Sequence, residues 1–167
     1  AQAADNDQHG VGRLSVVTSG RSLAPDTLEA LVGLYGKMAA STSLLFCASA
    51  GMLNPEIAAT LKEAGVGRYH CNLEASRGYF PQVCTTHTWA EKVETLGLAR
   101  AAGMTLCSGG IIGMGEQMTD RIDMAFELRE LEFKSIPINI LTPIPGTPLA
   151  ELAPLSVDDV LTTVALF

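Results

Sequence analysis

Positive charge is scarce in this chain of 167 residues: 11 Lys and Arg stand against 18 Asp and Glu, a net charge of −7, and no window gathers the basic residues together. That balance excludes the basic footprint with which proteins grip nucleic acid, and it disfavours anionic membrane surfaces for the same reason. Long apolar runs are missing too. None approaches the roughly 18 residues a membrane-crossing helix needs, and the opening AQAADNDQHG has neither the basic flank nor the apolar core of a signal peptide. Cysteine is sparse: residues 47, 71, 84 and 107 are too few and too widely spaced for a disulfide framework, so in a reducing compartment they are expected as reduced or metal-bound thiols. A cytoplasmic protein without nucleic-acid or membrane partners is the simplest expectation.

What is present is a core. Hydrophobic residues make up 47% of the chain, enough for one globular domain or part of one. Apolar runs at about 13–18, 43–48, 67–72, 104–110 and 135–141 predict buried strands. Helical patterns separate them. The first carries Leu28, Leu31, Tyr35 and Met38 at helical spacing behind Pro25 and Asp26. The second has Asn54 as N-cap, Pro55 in its first position, Ile57 and Leu61 on one face, and Gly65 as its stop. The third opens with Thr88 and Glu91 in capping-box spacing and ends near Gly103. The fourth runs from about Met118 to Leu131 with Ile122, Ala125 and Phe126 inward, and a fifth starts at Ser156.

Strands recurring with a helix between each pair predict parallel β/α units, about five of them. Cys47, Asn72, Glu74, Cys107 and Asn139 fall at or just past the C-terminal ends of different strands. In a barrel those ends converge on one pocket, whereas an open sheet spreads them along an edge, so a partial (β/α)8 TIM-type barrel is expected. A helix tail ending near Gly10 and an unfinished amphipathic pattern at Phe167 suggest a fragment cut at both ends. A whole barrel of about 250 residues would supply about three more strands.

The stretch Cys107 to Glu116, CSGGIIGMGE, places a thiol at the mouth of a glycine-rich turn that leads into a helix. Such a turn lets backbone amides approach a ligand closely, and a soft thiolate there suits a metal. Together with YHCNLEASRGYFPQVCTTHT at 69–88 and SIPINILTPIPGTPL at 135–149, it resembles the biotin synthase family of radical S-adenosylmethionine enzymes. The three motifs occur in order and span nearly the whole chain.

The resemblance implies a (β/α)8 barrel that inserts sulfur between two unactivated carbons, converting dethiobiotin to biotin. A reduced [4Fe-4S] cluster cleaves S-adenosylmethionine to a 5′-deoxyadenosyl radical, and an auxiliary iron-sulfur cluster, [2Fe-2S] or a variant, supplies the sulfur. By resemblance, Cys47 and Cys107 ligate that auxiliary cluster. Asn72 and Asn139 contact the ureido ring of dethiobiotin, with Asn72 also near the methionine cofactor. Glu74 grips the cofactor ribose, Lys92 pairs with its methionyl carboxylate, and Ile111 and Thr142 wall the adenine pocket. A flavodoxin or ferredoxin would donate electrons, and the full-length protein would form a homodimer.

Each residue also has a plainer reading. Cysteine is often simply buried, asparagine near a strand end is usually a turn or cap residue, and Lys92 reads as a solvated lysine on a helix's first turn. Glu116 reads as the start of the following helix, favoured by its dipole, and His70 and His87 as structural. Two departures from the family pattern stand out. No Cys-x-x-x-Cys-x-x-Cys occurs in the sequence, so the ligands of the radical-generating cluster are expected before Ala1. Ser15 occupies a position where many members have a third auxiliary-cluster cysteine. A cluster of another composition or another ligand is expected there, Cys84 being favoured over Cys71 as the ligand because it lies in an irregular loop. Arg13, beside Ser15, matches a family position near that cluster. The rival readings are a related radical enzyme of the hydrogenase-cofactor maturase type and a catalytically silent β/α binding fragment.

Overall fold

The computed structural model describes all 167 residues, in the order α1 Gln2–Gln8, β1 Arg13–Val17, α2 Pro25–Ala39, β2 Leu45–Ser49, α3 Pro55–Glu63, β3 Val66–His70, α4 Phe80–Val83, α5 Trp89–Ala101, β4 Thr105–Cys107, β5 Gly110–Ile112, α6 Met118–Glu130, β6 Ile138–Ile140 and α7 Val157–Leu166. Two compact units can be distinguished, residues 1–71 with 91–106 and residues 72–90 with 107–167.

The first unit holds a sheet whose strand order is β1-β2-β3-β4, with β1, β2 and β3 paired in parallel. Neighbours in sequence are neighbours in space. That is the course of a barrel wall, whereas a doubly wound sheet reverses its order at a switch point. Helix α2 follows from an extended Ala24 and Pro25 in the first turn, and it buries Leu31, Tyr35 and Met38 on one face. Tyr35 packs on Phe46 of β2 with ring centroids 5.5 Å apart and donates its hydroxyl to the Cys47 carbonyl at 2.8 Å. Helix α3 is capped as its sequence predicts: Asn54 accepts from the Ile57 amide at 2.8 Å, Ile57 and Leu61 are buried, and Gly65 turns the chain at φ +94°. The β2–β3 register shifts between Phe46 and Cys47, so that Phe46 faces Val66 while Cys47 faces Arg68. Tyr69 then ties down the chain after β2, accepting from the Ala50 amide and donating to the Gly51 carbonyl.

In the second unit β5 and β6 pair in parallel, with Ile111 opposite Asn139 and Gly110 opposite Ile138. On its other side Gly110 bridges in parallel to Glu74. The expected strand at 104–110 is therefore two strands, 105–107 and 110–112, belonging to different sheets. The break has a cause distant in sequence: the Gly109 amide donates to the Asn72 side chain rather than to a ladder.

Helix α6 also differs from expectation. Its buried residues are Arg121, Met124 and Leu128, while Phe126 is half exposed and Ile122 and Ala125 are only partly covered. A hydropathy reading turns arginine outward, but Arg121 is paired inside, and this rotates the helix. The short helix α4 had no periodic signal.

Candidate functional site

Three parallel segments, 72–74, 109–112 and 137–141, form the centre of the second unit. The Glu74 amide donates to the Gly109 carbonyl at 3.1 Å, the Ile111 amide to the Glu74 carbonyl at 2.9 Å, and the Leu141 amide to the Ile112 carbonyl at 2.9 Å. Asn72, Glu74, Ile111 and Asn139, picked from separate motifs, thus lie on adjacent segments of one unit, and Thr142 follows two residues after β6. Asn72 is buried and its Oδ1 accepts from the Gly109 amide at 3.1 Å, so one face of this amide already serves the backbone. Asn139 and Thr142 are exposed, and Glu74 has a left-handed backbone at φ 71°.

The glycines are needed for backbone contact. A Cβ on Gly109 would stand 1.9 Å from the Pro137 carbonyl oxygen, and one on Gly110 would stand 2.6 Å from both the Glu74 oxygen and the Met124 sulfur. The turn that follows is organised differently from its sequence reading. Its amides at Gly113 and Met114 each donate to the Glu116 carboxylate at 2.7 Å, so they are already partnered. Glu116 precedes α6, which is opened by Gln117 and Asp120 in a reciprocal capping box, and so it is not the first helical residue. It also accepts from Arg121 Nε at 2.7 Å, both side chains being 5% exposed, and Arg121 donates onward to Thr163 of α7 at 3.2 Å. Tyr79 donates to the Met114 carbonyl at 3.0 Å, and burial, with the negative charges of Glu116 and Asp120, pushes its phenol up from its ordinary value.

Cys107 sits at the end of β4, where Ser135 donates its hydroxyl to Sγ at 3.2 Å. Cys84 follows α4 with Sγ 3.5 Å from His87 Nδ1 and 3.6 Å from the Thr86 hydroxyl, and the His87 ring meets Phe80 edge-on.

In the first unit Cys47 is buried in β2, with Ser15 of β1 opposite it on one side and Arg68 of β3 on the other. Arg13 Nη1 lies 3.8 Å from Cys47 Sγ. None of the four cysteines is in a disulfide, and neither unit gathers three or more His, Cys, Asp or Glu side chains into a group that would hold a metal ion. The thiol of Cys47, with the Arg13 guanidinium beside it and Arg68 opposite on the next strand, is nonetheless a donor environment suited to an anionic, sulfur-rich centre.

Lys92 is 8% exposed and so is not the solvated surface lysine of its plainer reading. Burial, helped by the Lys92 cation, holds His70 below its ordinary value. The unfolded chain takes up a proton near pH 6.5 while the folded one resists it, so the unfolded state binds more protons below that pH. Thermal unfolding is expected to show stability falling as pH drops from 7 through 6, and His70→Gln to flatten that slope. An unchanged slope would rule His70 out as its source.

Arg68, Ser135 and the Glu116–Arg121 pair had escaped the reading of the sequence. Arg68 left a trace there, a cation inside a buried strand run, whereas Ser135 left none.

No helix is long and apolar enough to cross a membrane. The chain is 53% identical to a biotin synthase of Desulfotalea psychrophila over all 167 residues, covering 50% of that protein. It is 50% identical to a biotin synthase of Acetivibrio thermocellus over 165 residues, covering 99% of this chain and 52% of the other. The chain thus spans about half the length of the curated relatives it matches. Among solved structures it resembles methylornithine synthase (PylB), with TM-score 0.79, 16% identity and 99% of this chain matched to 51% of the other. The FeFe-hydrogenase maturase HydG of Carboxydothermus hydrogenoformans gives TM-score 0.77 and 15% identity, 99% of this chain matching 41% of the other. At such identities the likeness establishes the α/β fold and its partial barrel alone. Residues 1–129 match the Radical SAM superfamily, more than three quarters of a chain whose strands run in sequential parallel order, and on that match the chain belongs to this superfamily.

Proposed function

We propose that the full-length protein is a biotin synthase, a radical S-adenosylmethionine enzyme that inserts sulfur into dethiobiotin to give biotin. The observation that carries this reading is an identity to biotin synthases of about half, sustained from end to end of the chain. A maturase that shares only the barrel is disfavoured by the same contrast, since HydG matches in fold at a much lower identity. Residues 1–167 are read with this proposal as part of one longer barrel domain.

The residue roles belong to the proposal. Cys47 and Cys107 are read as auxiliary-cluster ligands, and Cys84 remains the further candidate. When bound, that cluster would supply the sulfur atom, and S-adenosylmethionine with its [4Fe-4S] cluster would supply the radical. Asn139, exposed beside Ile111, suits a neutral cyclic urea, whose carbonyl and N–H groups an amide can both complement. Asn72 would contribute the part of its amide not committed to Gly109. Glu74, an acceptor-only carboxylate, suits the ribose hydroxyls, and buried Lys92 suits a carboxylate ligand. Ile111 and Thr142 would flank adenine. Because hydrogen-atom abstraction needs no proton acceptor at carbon, His70 and His87 are left as structural residues. A flavodoxin or ferredoxin as electron donor and a homodimeric assembly complete the reading.

The test is anaerobic iron and sulfide reconstitution of the full-length protein, Mössbauer spectroscopy, and turnover of dethiobiotin with S-adenosylmethionine. Two cluster types and biotin formation are expected. Cleavage of the cofactor with one cluster and no biotin would favour the maturase reading, and failure to bind iron would leave a silent β/α module.

A further inference from the structure

Arg68 is a cation for which the protein provides no counter-charge. It stands opposite Cys47 on the neighbouring strand, its Nε is sealed from solvent, and that atom has no hydrogen-bond acceptor. Arg13, two residues before the Ser15 that opposes Cys47 from the other strand, reaches the Cys47 sulfur and no carboxylate. Register partners on parallel strands share a face, so Arg13, Ser15, Cys47 and Arg68 form one patch on one side of the sheet. Tyr35 approaches β2 through the Cys47 carbonyl, not through the thiol.

A half-buried guanidinium without a partner is costly, and 18 acidic residues were available to pair with it. The arrangement suits an anion held at the Cys47 sulfur. In a thiolate-bound iron-sulfur centre, thiolates and sulfides outweigh the iron charge, and each added electron increases the imbalance, so nearby cations favour the reduced form.

We propose that Arg68, together with Arg13, forms a cationic wall that retains the auxiliary iron-sulfur centre at Cys47 and raises its reduction potential. The inference rests on the reading of Cys47 as a ligand of that centre. Arg68 acts as a positioning residue, through the field it places on the cluster.

The test uses full-length protein reconstituted anaerobically, with potentiometric titration of the auxiliary cluster followed by electron paramagnetic resonance. Arg68→Met is expected to make reduction about tenfold harder, a potential about 59 mV more negative for a one-electron couple. Arg68→Lys should recover most of that shift, and Lys37→Met, which removes an exposed charge on α2, should show none. Before reconstitution Arg68→Met should melt at or above the wild-type temperature, because an uncompensated charge has been removed. An unshifted potential in Arg68→Met, or apo protein that melts lower in both Arg68 variants, would mark the arginine as purely structural and overturn the inference. Should Arg68→Met not fold, Arg68→Gln reads the same loss of charge in a polar side chain. Cys47→Ala separates the two layers. Loss of the auxiliary signal there, with the potential of Arg68→Met unchanged, sinks the inference alone, while a signal that survives Cys47→Ala sinks the ligand reading and the inference together.

Discussion

Replacing Glu116 with alanine is expected to cost about 3–5 kcal/mol of folding stability, the loss that follows when one partner of a buried ion pair is removed. The carboxylate joins three things: the amides of Gly113 and Met114, the guanidinium of Arg121, and through Arg121 the Thr163 hydroxyl on α7. Its removal leaves two amides and a 5%-exposed arginine without their acceptor. Glu116→Gln should also be strongly destabilising, since the arginine remains and the charge that balanced it does not. The double variant Glu116→Ala with Arg121→Met should lose less than the sum of the singles, because the pair acts as a unit. Urea unfolding reads the wild type, the three single variants and the double variant. A stability loss of under about 1 kcal/mol for Glu116→Ala, read from the midpoint shift at unchanged slope, would show that water replaces the carboxylate readily.

Gly109→Ala should be as damaging for a steric reason. Its Cβ would lie 1.9 Å from the Pro137 carbonyl oxygen, a backbone atom that cannot swing aside as a side chain can. Segments 72–74 and 137–141 both bond to this stretch, so a shift at 109 would be felt by Asn72, Glu74 and Asn139 together. Overpacking typically costs 1–3 kcal/mol. Here the clash is with backbone, so we expect at least the top of that range and little folded protein at 37 °C. Gly97→Ala is the contrast: it lies inside α5 with open space where its Cβ would go, and it should stabilise by about 0.5–1 kcal/mol. Comparable melting temperatures for the two variants would show that the 109–137 contact yields.

These two sites mark where the sequence stops being legible. Periodicity and capping reveal α2 and α3 because those signals are local: Asn54, Pro55 and Gly65 act within one helix. The run 104–110 reads as one strand because Met104, Leu106 and Cys107 are compatible with extended chain. What divides it is a hydrogen bond from a residue 37 positions away. Helix α6 was turned the wrong way because hydropathy assigns arginine to water, and only the partner at Glu116 makes Arg121 an inner residue. Within the second unit, Asn72, Glu74, Ile111 and Asn139 were chosen on motif resemblance and prove to be near neighbours. Arg68 went unremarked, because the register shift that sets it opposite Cys47 is a property of two strands and not of either one.

Glu74 carries a consequence of its own. At φ 71° it occupies a conformation that glycine reaches easily and that an ordinary L-residue adopts at about 1–2 kcal/mol. The amide and carbonyl of this same residue are both clamped by the neighbouring 109–111 segment. The direction in which its side chain leaves the backbone is consequently stored in the fold itself, so a molecule arriving there would spend affinity only on ordering the torsions beyond Cβ and none on the main chain.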